Sequence, residues 1–131
     1  MLSGRILTIL CLVSGVVFGD QGAYFETHVR PLLVAHCYEC HSAEEGSKIK
    51  GGLRLDHREG WQVGGDSGAA LIPGDSRDSL LIKAVHYRDP ELQMPPKKKL
   101  AKADIAVLER WISEGASDPR ETANPSPPPP T

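Results

Sequence analysis

The sequence predicts a small all-α domain whose N-terminal and C-terminal helices enclose a long glycine-rich loop region. Two periodic stretches predict the helices. Phe25, Val29, Leu32 and Leu33 recur close to helical spacing, as do Ile105, Leu108, Trp111, Ile112 and Ala116 near the other end. The loops are predicted by glycine: Gly51-Gly52, Gly64-Gly65, Gly68 and Pro73-Gly74 crowd residues 42–77. Glycine at this density marks tight turns, leaving room for short strands at most, for example over 52–56.

Taken in order, residues 1–19 read as a secretory signal peptide. Arg5 supplies its positive charge, residues 6–18 its apolar stretch, and Val17-Phe18-Gly19 stand where a signal peptidase cuts, just before Asp20. An uncleaved anchor is the rival reading, but about thirteen apolar residues fall short of the roughly twenty that cross a bilayer as a helix. No stable membrane span is therefore expected once the signal is removed. Cys11 lies inside the apolar stretch, without the small residues before it that lipid modification would want.

Residues 20–117 form the predicted domain. Its first helix starts near Tyr24 and leads into Cys37, with Pro31 placed to kink or split it. A short helix is expected over 79–87, capped by Ser76 or Asp78, with Leu80, Leu81, Ala84 and Val85 on its buried side. The terminal helix opens at Asp104, turns Glu109 and Arg110 outward and stops at Gly115. Residues 118–131 hold Pro119, Pro125 and Pro127 through Pro130, and are expected to be an extended, solvated, disordered tail. The 15 basic and 17 acidic side chains give a formal net charge of −2, which offers no basic surface excess for nucleic acid.

The chemistry concentrates in Cys37-Tyr38-Glu39-Cys40-His41. Two thiols three positions apart can each form a thioether to a haem vinyl group, while the histidine that follows becomes the proximal iron ligand. A thioredoxin-like couple would need a βαβ setting that this glycine-rich chain does not offer. A structural zinc site would need a second ligand pair, and after signal removal only His28, His36, His57 and His86 remain as further nitrogen donors. The motif thus points to one covalent haem c on Cys37, Cys40 and His41. An exported, periplasmic or equivalent compartment agrees with it, because haem is attached to such proteins outside the cytoplasm.

With the motif in place, the surrounding residues support a resemblance. Helix, C-x-x-C-H, long loop, helix, methionine and terminal helix resemble the class I single-haem cytochrome c fold. Arg30-Pro31-Leu32-Leu33, Lys50-Gly51-Gly52-Leu53-Arg54-Leu55-Asp56, Gly65-Asp66-Ser67-Gly68, Ile72-Pro73-Gly74-Asp75 and Met94-Pro95-Pro96-Lys97 are similar to the planctomycete-type cytochrome c domain, over about residues 24–116. In that family the domain is commonly the N-terminal part of much longer exported proteins, and no activity of those further domains carries over to this chain.

Met94 is the expected sixth ligand. It has a soft thioether, is the only methionine beyond the signal segment, and Pro95-Pro96 stiffen its loop. The plain alternative is a core-filling methionine, and His86, at the end of a predicted helix, is the rival ligand. His28, His36 and His57 are assigned no iron role. Pro31, Leu32 and Leu33 are expected to wall the proximal side. Trp111 is expected either to meet the porphyrin or to lie in the core, and Arg54 to pair with a propionate. Lys97, Lys98, Lys99 and Lys102 form a basic cluster that would face an acidic redox partner. The leading function is exported single-electron transfer by a carrier that is not itself an enzyme. The alternatives are gas binding, sensing or peroxidase-like turnover at an open sixth position, and a haem module serving a larger exported partner.

Overall fold

Phe25, Val29 and Leu33, spaced four apart, form the fully buried stripe of the first helix in the computed structural model, which describes residues 21–120. The expected signal segment, Cys11 and the part of the expected tail beyond Arg120 lie outside the described residues. Helix α1 (Gln21–Tyr24) runs through a π-helical turn (Phe25–Val29) into α2 (Arg30–His36). Pro31 explains the wide turn. It has no N–H for the carbonyl four residues earlier and its ring crowds that carbonyl, so the chain widens there, with the Arg30 N–H donating to the Phe25 carbonyl. The helix is neither split nor ended, and the Cys37 N–H still reaches the Leu33 carbonyl at 2.9 Å.

Cys37 then makes a sharp step into α3 (Tyr38–His41). A 3-10 turn (Lys50–Gly52) and α4 (Arg58–Val63) follow within the glycine-rich stretch. Helix α4 departs from the expectation of loops and short strands: it is six residues long and buries a single large side chain, Trp61, too little for periodicity to reveal. No strand forms at 52–56, and among the described residues β pairing is confined to isolated bridges such as His41 with Ile49. The described fold is all-helical.

Helix α5 (Leu80–Val85) buries Leu81, Ile82, Ala84 and Val85. Neither Ser76 nor Asp78 caps it. Ser79 precedes the helix, and its hydroxyl instead donates to the Asp75 carbonyl at 2.6 Å while accepting the Ile72 N–H at 2.9 Å, which closes the turn before the helix. Helix α6 (Lys102–Ser113) starts two residues before Asp104 and buries Ile105, Leu108, Trp111 and Ile112. Its end matches the predicted stop. The Gly115 N–H donates to the Ile112 carbonyl and the Ala116 N–H to the Trp111 carbonyl, with Gly115 at φ +106°, where glycine carries no steric cost.

The two ends of the domain meet through aromatic rings. Phe25 lies 5.7 Å from Trp111, and Trp61 stands edge-on to Trp111 at 6.1 Å. Both indoles are satisfied: Trp61 donates to Asp118 Oδ2 and Trp111 to the Ser117 carbonyl, each at 2.9 Å. Trp111 is therefore a core residue between the terminal helices.

Asp118 and Arg120, assigned from sequence to the solvated tail, are only 4% and 8% exposed. Arg120 grips both Asp118 oxygens, with Nε at 2.9 Å and Nη2 at 2.7 Å, and its guanidinium lies 4.7 Å from the centroid of the Phe25 ring. A buried ion pair of this kind needs its fork geometry to offset desolvation, and it seals the core beneath α4.

Gly64 leaves no room for a side chain. Gly64 ends α4 at φ +77° and ψ −167°, and a Cβ there would lie 2.0 Å from the Gly68 carbonyl oxygen. Gly64→Ala is expected to lower stability by about 3 kcal/mol through backbone strain, measured as a lower urea midpoint with unchanged slope.

Candidate functional site

The turn at Cys37 places three reactive side chains together. The Cys37 carbonyl accepts the N–H groups of Cys40 (3.2 Å) and His41 (2.9 Å), so positions 37, 40 and 41 fall on one face of a helical turn. All three line a cavity of about 320 Å³, a volume in the range of small-molecule sites. Leu53 and Leu55 form another wall, α5 contributes Leu81, Ala84 and Val85, and Met94 closes in from the loop that follows. Gly51, Gly65 and Gly68 line it too, and a Cβ at Gly65 would lie 2.3 Å from the Gly51 carbonyl oxygen. Gly65 is thus required where two backbones touch beside the cavity.

His41 is held by its Nδ1, 3.2 Å from the Leu53 carbonyl oxygen. A carbonyl can only accept, so Nδ1 carries the hydrogen and Nε2 keeps its lone pair for a ligand. Neither cysteine is in a disulfide. Burial, reinforced by the neighbouring Cys40, pushes the Cys37 thiol up to about 12, the reverse of the lowered value that activates a thioredoxin-like cysteine. Among the described residues no group of three or more His, Cys, Asp and Glu side chains is arranged to hold a metal ion.

Met94 is presented by α5. Its N–H donates to the Ala84 carbonyl at 3.2 Å, and Tyr87, held at φ +59°, donates its hydroxyl to the Pro95 carbonyl. At 37% exposed, the Met94 side chain is not a core filler. His86 points elsewhere: its Nε2 lies 2.6 Å from Glu109 Oε1 on α6, and it does not line the cavity. His57 sits against Asp56 and His28 against the Tyr24 ring, while exposed His36 reaches the cavity edge.

Two sequence expectations are corrected here, and a third choice is narrowed. Arg54 does not line the cavity; it forms a two-pronged pair with Asp56 at 3.0 and 2.7 Å. Burial alone would raise the Asp56 carboxyl, but hydrogen bonds from Arg54, the Ala43 N–H and His57 hold it well below the usual carboxylate range. Pro31, Leu32 and Leu33 do not wall the cavity either, and Leu33 faces the core. Trp111 is absent from the lining, as its place in the core requires.

Lys97 lines the cavity, with Lys98, Lys99 and Lys102 exposed beyond it. Lys50, overlooked in the sequence because it sits in a glycine turn far from that cluster, lines the same cavity. Leu53 and Leu55 were also missed as walls. The alternation of Leu53, Arg54 and Leu55 was the available signal, with the leucines inward and the arginine away.

The residues present fit a haem: two thiols and an oriented imidazole on one face, a thioether on the loop beyond, and apolar walls between them. No curated protein and no solved structure matches the chain. Residues 37–98, from the first cysteine of the motif to the lysines beyond Met94, match the family model for planctomycete cytochrome C.

Proposed function

We propose that this protein carries single electrons outside the cytoplasm through one haem c attached to Cys37 and Cys40, with His41 and Met94 as its axial ligands. The observation that carries the reading is the convergence of these four side chains on one cavity, with the His41 Nδ1 already engaged by Leu53. A cytochrome c domain is in general an electron carrier, and domains of this type are usually exported. Among the described residues no helix is long and apolar enough to cross a membrane.

Haem, when bound, supplies a one-electron ferric–ferrous couple. The chain's own task is to hold both ligands in place so that little moves when the charge changes. Leu53 fixes the ring of His41, while Ala84 and Tyr87 fix the loop of Met94. Leu81, Ala84, Val85 and Leu55 keep water from the cavity wall, and a thioether ligand raises the potential relative to a second imidazole. The test is the mass and haemochrome spectrum of the exported full chain. One haem per chain resistant to acid–acetone extraction is expected, lost in Cys37→Ala/Cys40→Ala. Extractable haem, or none, would contradict the reading.

Lys97, Lys98, Lys99 and Lys102, joined by Lys50 at the cavity, form the face proposed to receive an acidic redox partner. Opposite charges steer encounter over a Debye length of about 8 Å at physiological salt. Oxidation by anionic ferricyanide is therefore expected to slow with added salt and in Lys97→Glu/Lys98→Glu, by about tenfold at low ionic strength. Stopped-flow mixing reads the rate, with a cationic cobalt oxidant expected to show the opposite trend.

A further inference from the structure

We infer that Arg120 is a positioning residue for His41, acting through Tyr38 and through the segment that orients the imidazole. The inference rests on the proposed role of His41 as the iron ligand. It concerns a residue that lies outside the matched family segment and inside what the sequence reads as a tail.

Arg120 makes contacts in three directions. Nη1 donates to the Tyr38 hydroxyl and to the Leu55 carbonyl, the latter at 2.7 Å, while Nε and Nη2 grip Asp118. Tyr38 stands between the two cysteines, in the same helical turn as His41. Leu55 returns its N–H to the His41 carbonyl at 2.7 Å, and Leu53, two residues earlier, accepts from the His41 ring. One guanidinium therefore holds both the turn that carries His41 and the strand-like segment whose carbonyl sets its tautomer and angle.

The anchor is itself fixed. Asp118 accepts the Trp61 indole N–H at 2.9 Å, and the Arg120 carbonyl accepts the Arg58 N–H at 2.9 Å, so the 118–120 segment is tied to α4 at two points. Among the described residues no buried side-chain nitrogen or oxygen lacks a partner, and Arg120 spends its donors on two groups adjoining His41 as well as on its counter-ion. A purely electrostatic pair with Asp118 would need neither of those two contacts. Lysine could keep the charge but not the planar fork that reaches them simultaneously.

The hydrogen bond on Nδ1 governs how strongly an imidazole donates through Nε2. The iron–histidine stretch of the ferrous protein, recorded by resonance Raman in a Met94→Ala background of the full-length holoprotein, reads that bond directly. Arg120→Lys and Tyr38→Phe are each expected to move the band to lower frequency and broaden it. Leu108→Ala, a core change on α6, serves as the control that lowers the melting temperature without moving the band. An unchanged band in both clamp variants, or an equal shift in Leu108→Ala, would overturn the inference. A background protein with covalent haem but no iron–histidine band would overturn the assignment of His41, and the inference with it.

Discussion

Met94→Ala should leave haem attachment intact and lower the reduction potential by on the order of 0.1–0.2 V, part of the roughly 0.8 V range that axial ligands command. In the proposed site attachment rests on Cys37, Cys40 and His41, which belong to α3 and its preceding turn and, among the described residues, share no backbone hydrogen bond with Met94. With Met94 as the proposed ligand the potential would follow its thioether, because soft sulfur favours the ferrous state more than water does. The variant should also bind carbon monoxide readily. Little folding energy is at stake, since the Met94 side chain is 37% exposed and its loop stays tied by its own N–H and by Tyr87. Potentiometric titration of both proteins checks the shift. An unchanged potential would mean that Met94 is not on the iron.

Arg120→Met should cost about 3–5 kcal/mol, the loss that follows when one partner of a buried ion pair is removed. Asp118 would remain in the core with only the Trp61 indole and the Arg120 backbone N–H to answer its charge. The same pair sets part of the acid stability. Burial pushes the Asp118 carboxyl up, but the stronger combined effect of Arg120, the Trp61 indole and the Arg120 N–H holds it below the usual range, and Asp56 is held down by Arg54 in the same sense. A carboxylate whose folded value is depressed contributes stability that is complete above its unfolded value of about 3.9 and is lost as the pH falls below that toward the folded value. The urea midpoint of the wild type should therefore be flat from pH 7 to about 5 and fall steeply below about 4. Asp118→Asn should start lower and fall less. Equal slopes in the two proteins would remove Asp118 from the acid transition.

Much of this arrangement was legible in the residues, for reasons that differ from element to element. The apolar stripes at 25–33 and 105–112 are long enough for helical periodicity to stand out, and Gly115 marks the end of α6 where a positive φ is required. The haem motif is readable because three side chains within five residues need only one helical turn to converge. Helix α4 was not legible: six residues with one buried tryptophan carry no period, and the glycines on either side suggested loop.

Arg120 and Asp118 were misread for a different reason. Composition placed them with the prolines that follow, whereas their position is decided by Tyr38, Leu55, Phe25 and Trp61, between 57 and 95 residues away in sequence. Arg54 failed as a propionate partner because Asp56, two residues on, satisfies it locally. His86 was a reasonable rival to Met94 by sequence position alone. Only the packing of α5 on α6 shows that Glu109 takes its ring.

The central claim is that His41 and Met94 together close the coordination of one covalent haem, and the absorption spectrum of the oxidised, exported, full-length protein tests it most directly. A weak near-infrared sulfur-to-iron band is expected, present in the wild type and absent in Met94→Ala, with carbon monoxide altering the reduced spectrum of the variant only. A wild type that lacks the band and binds carbon monoxide as readily as the variant would contradict the account.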